Sequence, residues 1–333
     1  MFKKLYVGDI IINIHCDIPN FSVDKICSRF PNLKKNDNYY ISISLYITEF
    51  EKSRTILKTN TLKSDSFNLS PKIKREYYFD YESKKDIILF ANQELCIERD
   101  FKEWSMIAFC NSKVQLLLIE GFFESFILNA LFYYGFIPCH GSALVKNDTC
   151  IPFLGKSGSG KSTTMVQLIN QADGFLSNDL FYIDAKKRIA YSLDKTIAVR
   201  ENKFDFLTKI QKELNDNSVL LYKKEQSYYD AEKFFGNNYV SEAKIKNIFF
   251  CKIIDCKDVT VKKLNRTQAI TELSDNTFTP SKLIIPLEQR MSMNKILLDS
   301  FSFFSIYIPN LNNIDYSPSI FDMSFLDLLS QVE

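Results

Sequence analysis

The chain has 333 residues, 46% of them hydrophobic and 25% charged, and a net charge of +2. That is enough for two ordinary domains or one large one, with the composition of a globular protein. So neutral a balance gives no whole-chain electrostatic case for nucleic acid or a membrane surface, and no apolar run reaches the roughly 18 residues of a membrane span.

The opening MFKKLYVGDIIINIHCD starts like a signal peptide, but Asp9 interrupts the apolar run and no small-residue cleavage site follows. Residues 39–47, 75–81 and 86–90 are aromatic and β-branched and predict strands, with the proline-containing 69–74 as a connection. Residues 1–115 therefore read as a β-rich N-terminal domain, which under a kinase reading would help recognise the substrate. Residues 116–135 are too densely apolar for a surface helix and predict a buried one, closed by Gly135.

After a boundary near 115–135, residues 116–333 read as a second domain. Strands are expected at 137–145 and 149–155 around a turn at 146–148. A helix from 160 to 170 follows, then one strand over 174–184 and another over 188–194. Residues 202–245 read as polar and partly helical. Strands over 247–254 and 258–264, joined by a short turn, precede a helix at 266–274, a strand at 302–308 and a terminal helix at 323–332. The eight cysteines are scattered, none forms C-x-x-C, and only two histidines could join them. This argues against structural zinc and for buried thiols in a reducing, cytoplasmic compartment.

Gly155, Gly160, Lys161 and Ser162 satisfy G-x-x-x-x-G-K-[ST], between a predicted strand and a predicted helix. Three of the chain's nine glycines, Gly155, Gly158 and Gly160, fall within this loop. Such glycines let successive backbone N–H groups turn toward phosphate oxygens, and the helix start adds its dipole. Lys161 is expected on the β- and γ-phosphates and the Ser162 hydroxyl on Mg²⁺. Ser157, Ser159 and Thr163 complete the expected nucleotide contacts, and Thr164 is expected to touch phosphate or cap the helix. Pro152, which has no N–H, predicts an irregular strand or one with an unpaired side.

The class of loop follows from what surrounds it. Asn202–Asp205 fits N-K-x-D, but no D-x-x-G precedes it, so the guanine-reading context of a GTPase is missing and ATP is preferred. No L-S-G-G-Q signature of a transporter ATPase is present. The acidic residue expected after the helix is Asp179, a short crossover beyond Ser162 that suits a compact kinase site better than a large ATPase core.

These motifs resemble the catalytic domain of HPr kinase/phosphorylase and its phosphoenolpyruvate-carboxykinase-like relatives. His140-Gly141 matches the family's His-Gly pair, Gly155 to Ser162 its glycine loop, and Asn178-Asp179 its acidic pair, over roughly residues 120–310. The resemblance implies an α/β (α+β) P-loop kinase domain behind a β-rich N-terminal domain. It implies ATP- and Mg²⁺-dependent phosphoryl transfer to a serine or threonine hydroxyl of a protein or peptide, as in the peptide-modifying kinases of ribosomal-peptide biosynthetic clusters. Lys161, Asp179 and His140 would be catalytic, with Asp179 as base or metal ligand beside Ser162, and His140 orienting it or accepting the proton itself. Asn178 stands where the family has an acid and no Arg-Gly signature follows, so the phosphorylase half-reaction is not expected. A nucleotide-binding sensor with reduced chemistry and a small-molecule kinase are the alternatives. The expected partner is the protein or peptide substrate, with no nucleic acid or membrane, and a homo-oligomer is compatible with the sequence.

Overall fold

The computed structural model describes residues 1–8, 10–19, 23–31, 41–50, 76–80, 82–90, 94–111, 116–200, 219–223, 226–231, 238–278, 280, 284–309, 321 and 324–332. The architecture is mixed α/β, rich in strands and with few helices. Two compact units emerge. One comprises Met1–Cys27, Asn32–Tyr134 and Pro280–Pro286; the other comprises Ser28–Pro31, Gly135–Thr279 and Leu287–Glu333. The division along the chain falls after Tyr134, and the apolar helix is grouped with the N-terminal sheet. It also gives Ser28–Pro31, far upstream of the expected boundary, to the second unit.

In the first unit a seven-stranded mixed sheet has the order β1-β2-β3-β7-β6-β5-β4. Its strands are β1 (Phe2–Val7), β2 (Ile10–Cys16), β3 (Ile41–Glu49), β4 (Glu76–Asp80), β5 (Lys85–Phe90), β6 (Leu95–Asp100) and β7 (Ser105–Cys110). Alternation sets the faces: Ile10, Ile12 and Ile14 of β2 are fully buried while their neighbours are half-buried. A short helix α1 (Val23–Cys27) follows β2. The long helix α2 (Leu116–Tyr133) packs Phe122 against Phe90, and Phe126 against Phe101 and Trp104. Gly135 takes φ 89 just past α2, as expected of a C-terminal cap. His15 lies flat against Tyr46 at 4.8 Å, a packing role.

The second unit is organised by β8 (Ile137–Lys146) and β9 (Thr149–Leu154), an antiparallel hairpin. Its turn residues Asn147 and Asp148 have φ 49 and 57, the left-handed pair that matches the natural twist of a hairpin. The other edge of β8 carries β10 (Gly174–Ser177) and β11 (Leu180–Asp184) in succession. β11 pairs with β12 (Ile189–Ser192), β12 with β16 (Glu242–Ile245), and β16 with β9. The pairings β8, β11, β12, β16, β9 thus return to β8 and close a circuit, which leaves these strands few free edges. From β9 the sheet continues through β17 (Asn247–Ile254), β19 (Ser302–Pro309) and β18 (Thr260–Lys263). A separate three-stranded sheet holds β13 (Thr196–Arg200), β15 (Gln226–Asp230) and β14 (Val219–Lys223).

The helix α3 (Lys161–Leu168) follows β9 and buries Met165 and Leu168 in a cluster with Leu144, Phe153 and Phe249. Each such side chain contributes about 1.5–3 kcal/mol on burial. The helix α4 (Arg266–Asn276) starts at a reciprocal cap. The Asn265 side chain accepts from the Gln268 N–H at 2.9 Å, and the Gln268 side chain accepts from the Asn265 N–H at 3.1 Å. Helices α5 (Leu287–Ser300) and α6 (Phe325–Gln331) flank β19 in the chain.

Some sequence expectations change. The single strand over 174–184 is two, because Asn178 and Asp179 leave the ladder. Within 202–245 the segments Val219–Lys223, Gln226–Asp230 and Glu242–Ile245 are strands, and Asn202–Asp205 lies outside the described residues. β17 and β18 are not partners: β19, from forty residues later in the chain, runs parallel to β17 and separates them. Parallel pairing between distant segments leaves no local signal. Pro152 behaves as expected. It faces Ala143 of β8 on one side; on the other, β16 pairs only through Cys150 and β17 only from Phe153, so no bond is asked of its missing N–H. All eight cysteines are free thiols, six of them buried. Among the described residues no helix is long and apolar enough to cross a membrane.

Candidate functional site

The site is built where β9, α3 and the break between β10 and β11 converge on β8. Gly155, Gly158 and Gly160 all take positive φ, at 151°, 83° and 96°. A Cβ on Gly155 would stand 2.3 Å from Ser159 Oγ and 3.0 Å from the Cys251 carbonyl, so only glycine lets the loop fold back here. The result is a tight turn, closed by the Ser159 N–H on the Lys156 carbonyl at 3.1 Å and the Thr164 N–H on Gly160 at 2.8 Å. Among the described residues no side chain caps the N-terminus of α3, and the buried Ser159 hydroxyl has no hydrogen-bond partner. These are donors of the kind that anion oxygens satisfy.

Lys161 is 7% exposed, and its ammonium donates to the carbonyls of Gly155 at 2.6 Å and Lys156 at 3.1 Å. Burial lowers the pKa of this ammonium, with the Cys251 and Asp179 side chains acting in the opposite sense. Cys251 is no nucleophile, since burial pushes its thiol up to about 12. Ser157, Gly158 and Ser162 are exposed at the loop surface. Thr164 departs from expectation: it is 1% exposed, with its hydroxyl 4.0 Å from Cys251 Sγ, and faces the core rather than the loop. The Thr163 side chain lies outside the described residues.

His140 and Asp179 meet because of strand register. β11 pairs Leu180 with His140, and the ladder resumes in β10 with Ser177 against Ala143. Between them Asn178 and Asp179 lie opposite Gly141 and Ser142. The Gly141 N–H donates to the Asp179 carbonyl at 2.9 Å, and the Ser142 hydroxyl to the Asn178 carbonyl at 3.0 Å. Gly141 is required for space: a Cβ there would be 2.6 Å from the Phe153 carbonyl on β9. The His140 Nδ1 stands 3.1 Å from Asp179 Oδ1, with the histidine side chain 56% and the aspartate 29% exposed. Burial raises the pKa of Asp179 and Asp194 adds to the effect, while His140, Arg29 and Lys161 work against it. Asn178 is 4% exposed, and its buried Oδ1 has no partner among the described residues.

Sequence reading missed Arg29 and Asp194. Asp194 is 2% exposed and receives Nε and Nη2 of Arg29 on one carboxylate oxygen, with the Nε contact at 3.2 Å. An acid two residues past a strand carried no motif, and Arg29 lies more than a hundred residues before the loop. A further pair borders the loop: Lys156 meets Asp275 of α4 at 2.8 Å.

Among the described residues no three His, Cys, Asp or Glu side chains gather as a metal cage. One hydroxyl, Ser162, and one accessible carboxylate, Asp179, fit Mg²⁺, which keeps waters and phosphate oxygens among its ligands. The unpartnered Ser159 hydroxyl and uncapped helix start fit phosphate.

No protein-family model matches the chain, and no curated protein matches it. Among solved structures, the HPr(Ser) kinase/phosphatase from Coxiella burnetii is similar with a TM-score of 0.29 and 10% identity, over 58% of this chain and 91% of that one. The relationship is distant, and a likeness of this degree lends no weight to any residue assignment.

Proposed function

We infer that the second unit is a P-loop kinase of the HPr-kinase-like type that transfers the γ-phosphoryl group of ATP to a serine or threonine hydroxyl of a protein or peptide. One observation carries this reading. A glycine turn with a buried lysine on its own carbonyls lies beside a histidine–carboxylate pair that strand register holds together.

Phosphoryl transfer needs positioning, charge neutralisation and a proton acceptor more than covalent chemistry. In this reading Lys161 exchanges its loop carbonyls for phosphate oxygens. Gly155 to Thr163 supply backbone N–H groups and hydroxyls to the nucleotide. Mg²⁺, held by Ser162 and Asp179, would neutralise phosphate charge. Asp179 is the carboxylate left accessible, since Asp194 is engaged by Arg29. Its raised pKa suits a group that accepts the hydroxyl proton, and His140 orients it. Loss of base function lowers turnover alone; loss of a metal ligand also weakens Mg²⁺-dependent nucleotide binding.

The test is label transfer from γ-labelled ATP, with Mg²⁺, to hydroxyl-bearing peptides, including any precursor peptide encoded beside this chain. Transfer that Lys161→Ala abolishes and Asp179→Ala or His140→Ala reduces is the expected result. Nucleotide binding without transfer to any acceptor would instead favour a sensor, the reading that Asn178 in place of an acid supports.

A further inference from the structure

Ser28–Pro31 belongs to the second unit although the rest of the first thirty-one residues does not. The segment is pinned at both ends of one residue. The Arg29 carbonyl accepts the Lys195 N–H at 2.9 Å, and its guanidinium grips Asp194. The Arg29 side chain is 15% exposed and that of Asp194 3%, so the pair is largely withdrawn from water.

Asp194 in turn organises the link between β12 and β13. Its second carboxylate oxygen accepts the Thr196 N–H at 2.8 Å. With the link so folded, the N–H groups of Leu193 and Asp194 reach the Leu180 carbonyl at 3.2 and 3.1 Å, and the Ser177 hydroxyl reaches the same carbonyl at 2.8 Å. Leu180 is the residue after Asp179. The break that presents Asp179 is therefore held from one side by Gly141 and from the other by the Asp194 link.

We propose that Arg29 is a positioning residue of this site: by holding Asp194 it locks the 193–196 link onto Leu180 and so fixes where Asp179 stands relative to His140. The role is indirect, since Arg29 acts through Asp194. It is distinct from simple charge balance, because the bonds that reach Leu180 are made by backbone that Asp194 orders. The inference rests on the kinase reading only for its effect on turnover; its effect on the His140–Asp179 contact does not depend on that reading.

The test compares Arg29→Met, Arg29→Lys, the double variant Arg29→Met/Asp194→Asn, and Arg266→Met, which breaks an exposed pair with Asp299, as control. Arg29→Met leaves a buried carboxylate unpaired and destabilises the fold, whereas the double variant removes both charges and should recover most of the melting temperature. The first readout is the imidazole ¹H–¹⁵N signals of His140 at fixed pH in nucleotide-free protein, assigned by loss in His140→Gln. They should move in the double variant, return toward wild type in Arg29→Lys, and stay in place in Arg266→Met. The second is label transfer. The double variant should keep its affinity for a fluorescent ATP analogue in EDTA within about twofold, because Lys161 and its loop are untouched, yet transfer roughly 10–100-fold more slowly, the usual cost of an ångström of misplacement. Unmoved His140 signals in the double variant overturn the proposal, and so does full recovery of transfer together with the melting temperature. If wild type transfers no label, the kinase reading fails and the His140 signals still decide the role of Arg29.

Discussion

In the N-terminal sheet, Asp86 is 1% exposed and receives Arg99 Nε at 2.8 Å, Arg99 Nη2 on its other oxygen, and the Tyr77 hydroxyl at 3.1 Å. Burial pushes the pKa of this arginine down, but the Asp86 charge and hydrogen bonds outweigh it and raise it. In the second unit the Asp179 carboxylate meets His140 Nδ1 at 3.1 Å and its pKa is raised by burial; the Lys161 ammonium donates to two carbonyls, and burial lowers its pKa. Both regions bury charge. In the first, geometry completes the bonds of each group, which is what a structural pair requires. In the second, burial disfavours the charge of both groups, and Asn178 and Ser159 beside them have buried oxygens without a partner among the described residues. Charge kept in its unfavoured state, together with polar atoms lacking partners, is how a fold holds a site ready for a ligand.

That contrast can be broken experimentally. The largest effect is expected from Lys161→Ala, which should lower label transfer by at least about 10³-fold, or about 4 kcal/mol, with little loss of melting temperature because a buried charge is removed. Next is Arg99→Met, which strands Asp86 and should cost about 3–5 kcal/mol in denaturant unfolding; an undisturbed midpoint would show that the Arg99 pair is not structural. Gly141→Ala forces a Cβ against the β9 backbone and should cost about 1–3 kcal/mol, read in the same way. Asp179→Asn carries the opposite sign. The folded pKa lies above the usual 3.8, so the ionised carboxylate is a burden at neutral pH, and the melting temperature at pH 7 should hold or rise while transfer falls. The smallest effect is a pH dependence in the first unit. The Asp100 pKa is lowered: burial opposes this, but Lys85 and the N–H groups of Glu103 and Lys102 prevail. Its stabilisation is present above pH 3.8 and lost as pH falls through the lower folded value, about 1 kcal/mol at most, visible as wild type losing more stability in acid than Asp100→Asn.

Legibility followed the range of the interactions. The hairpin turn at Asn147-Asp148, the glycine turn, the start of α3 and the cap at Gly135 were all readable, because each is specified within a few consecutive residues. Lys161 was singled out by its loop motif, whereas His140 and the role of Asp179 came only through the family resemblance of spaced motifs. The pairing of β17 with β19, the break at Asn178-Asp179 and the burial of Thr164 against Cys251 were not. Each depends on which distant strand supplies the neighbouring backbone.

The sequence by itself determined the glycine turn and the strand-rich N-terminal region, since backbone conformation and periodicity are local properties. Tertiary structure alone decided that Asp179 faces His140 across an antiparallel register, that its charge is disfavoured, and that Arg29 belongs to the second unit. Those are matters of burial and of contacts between segments far apart in the chain, and no spacing along the sequence encodes them.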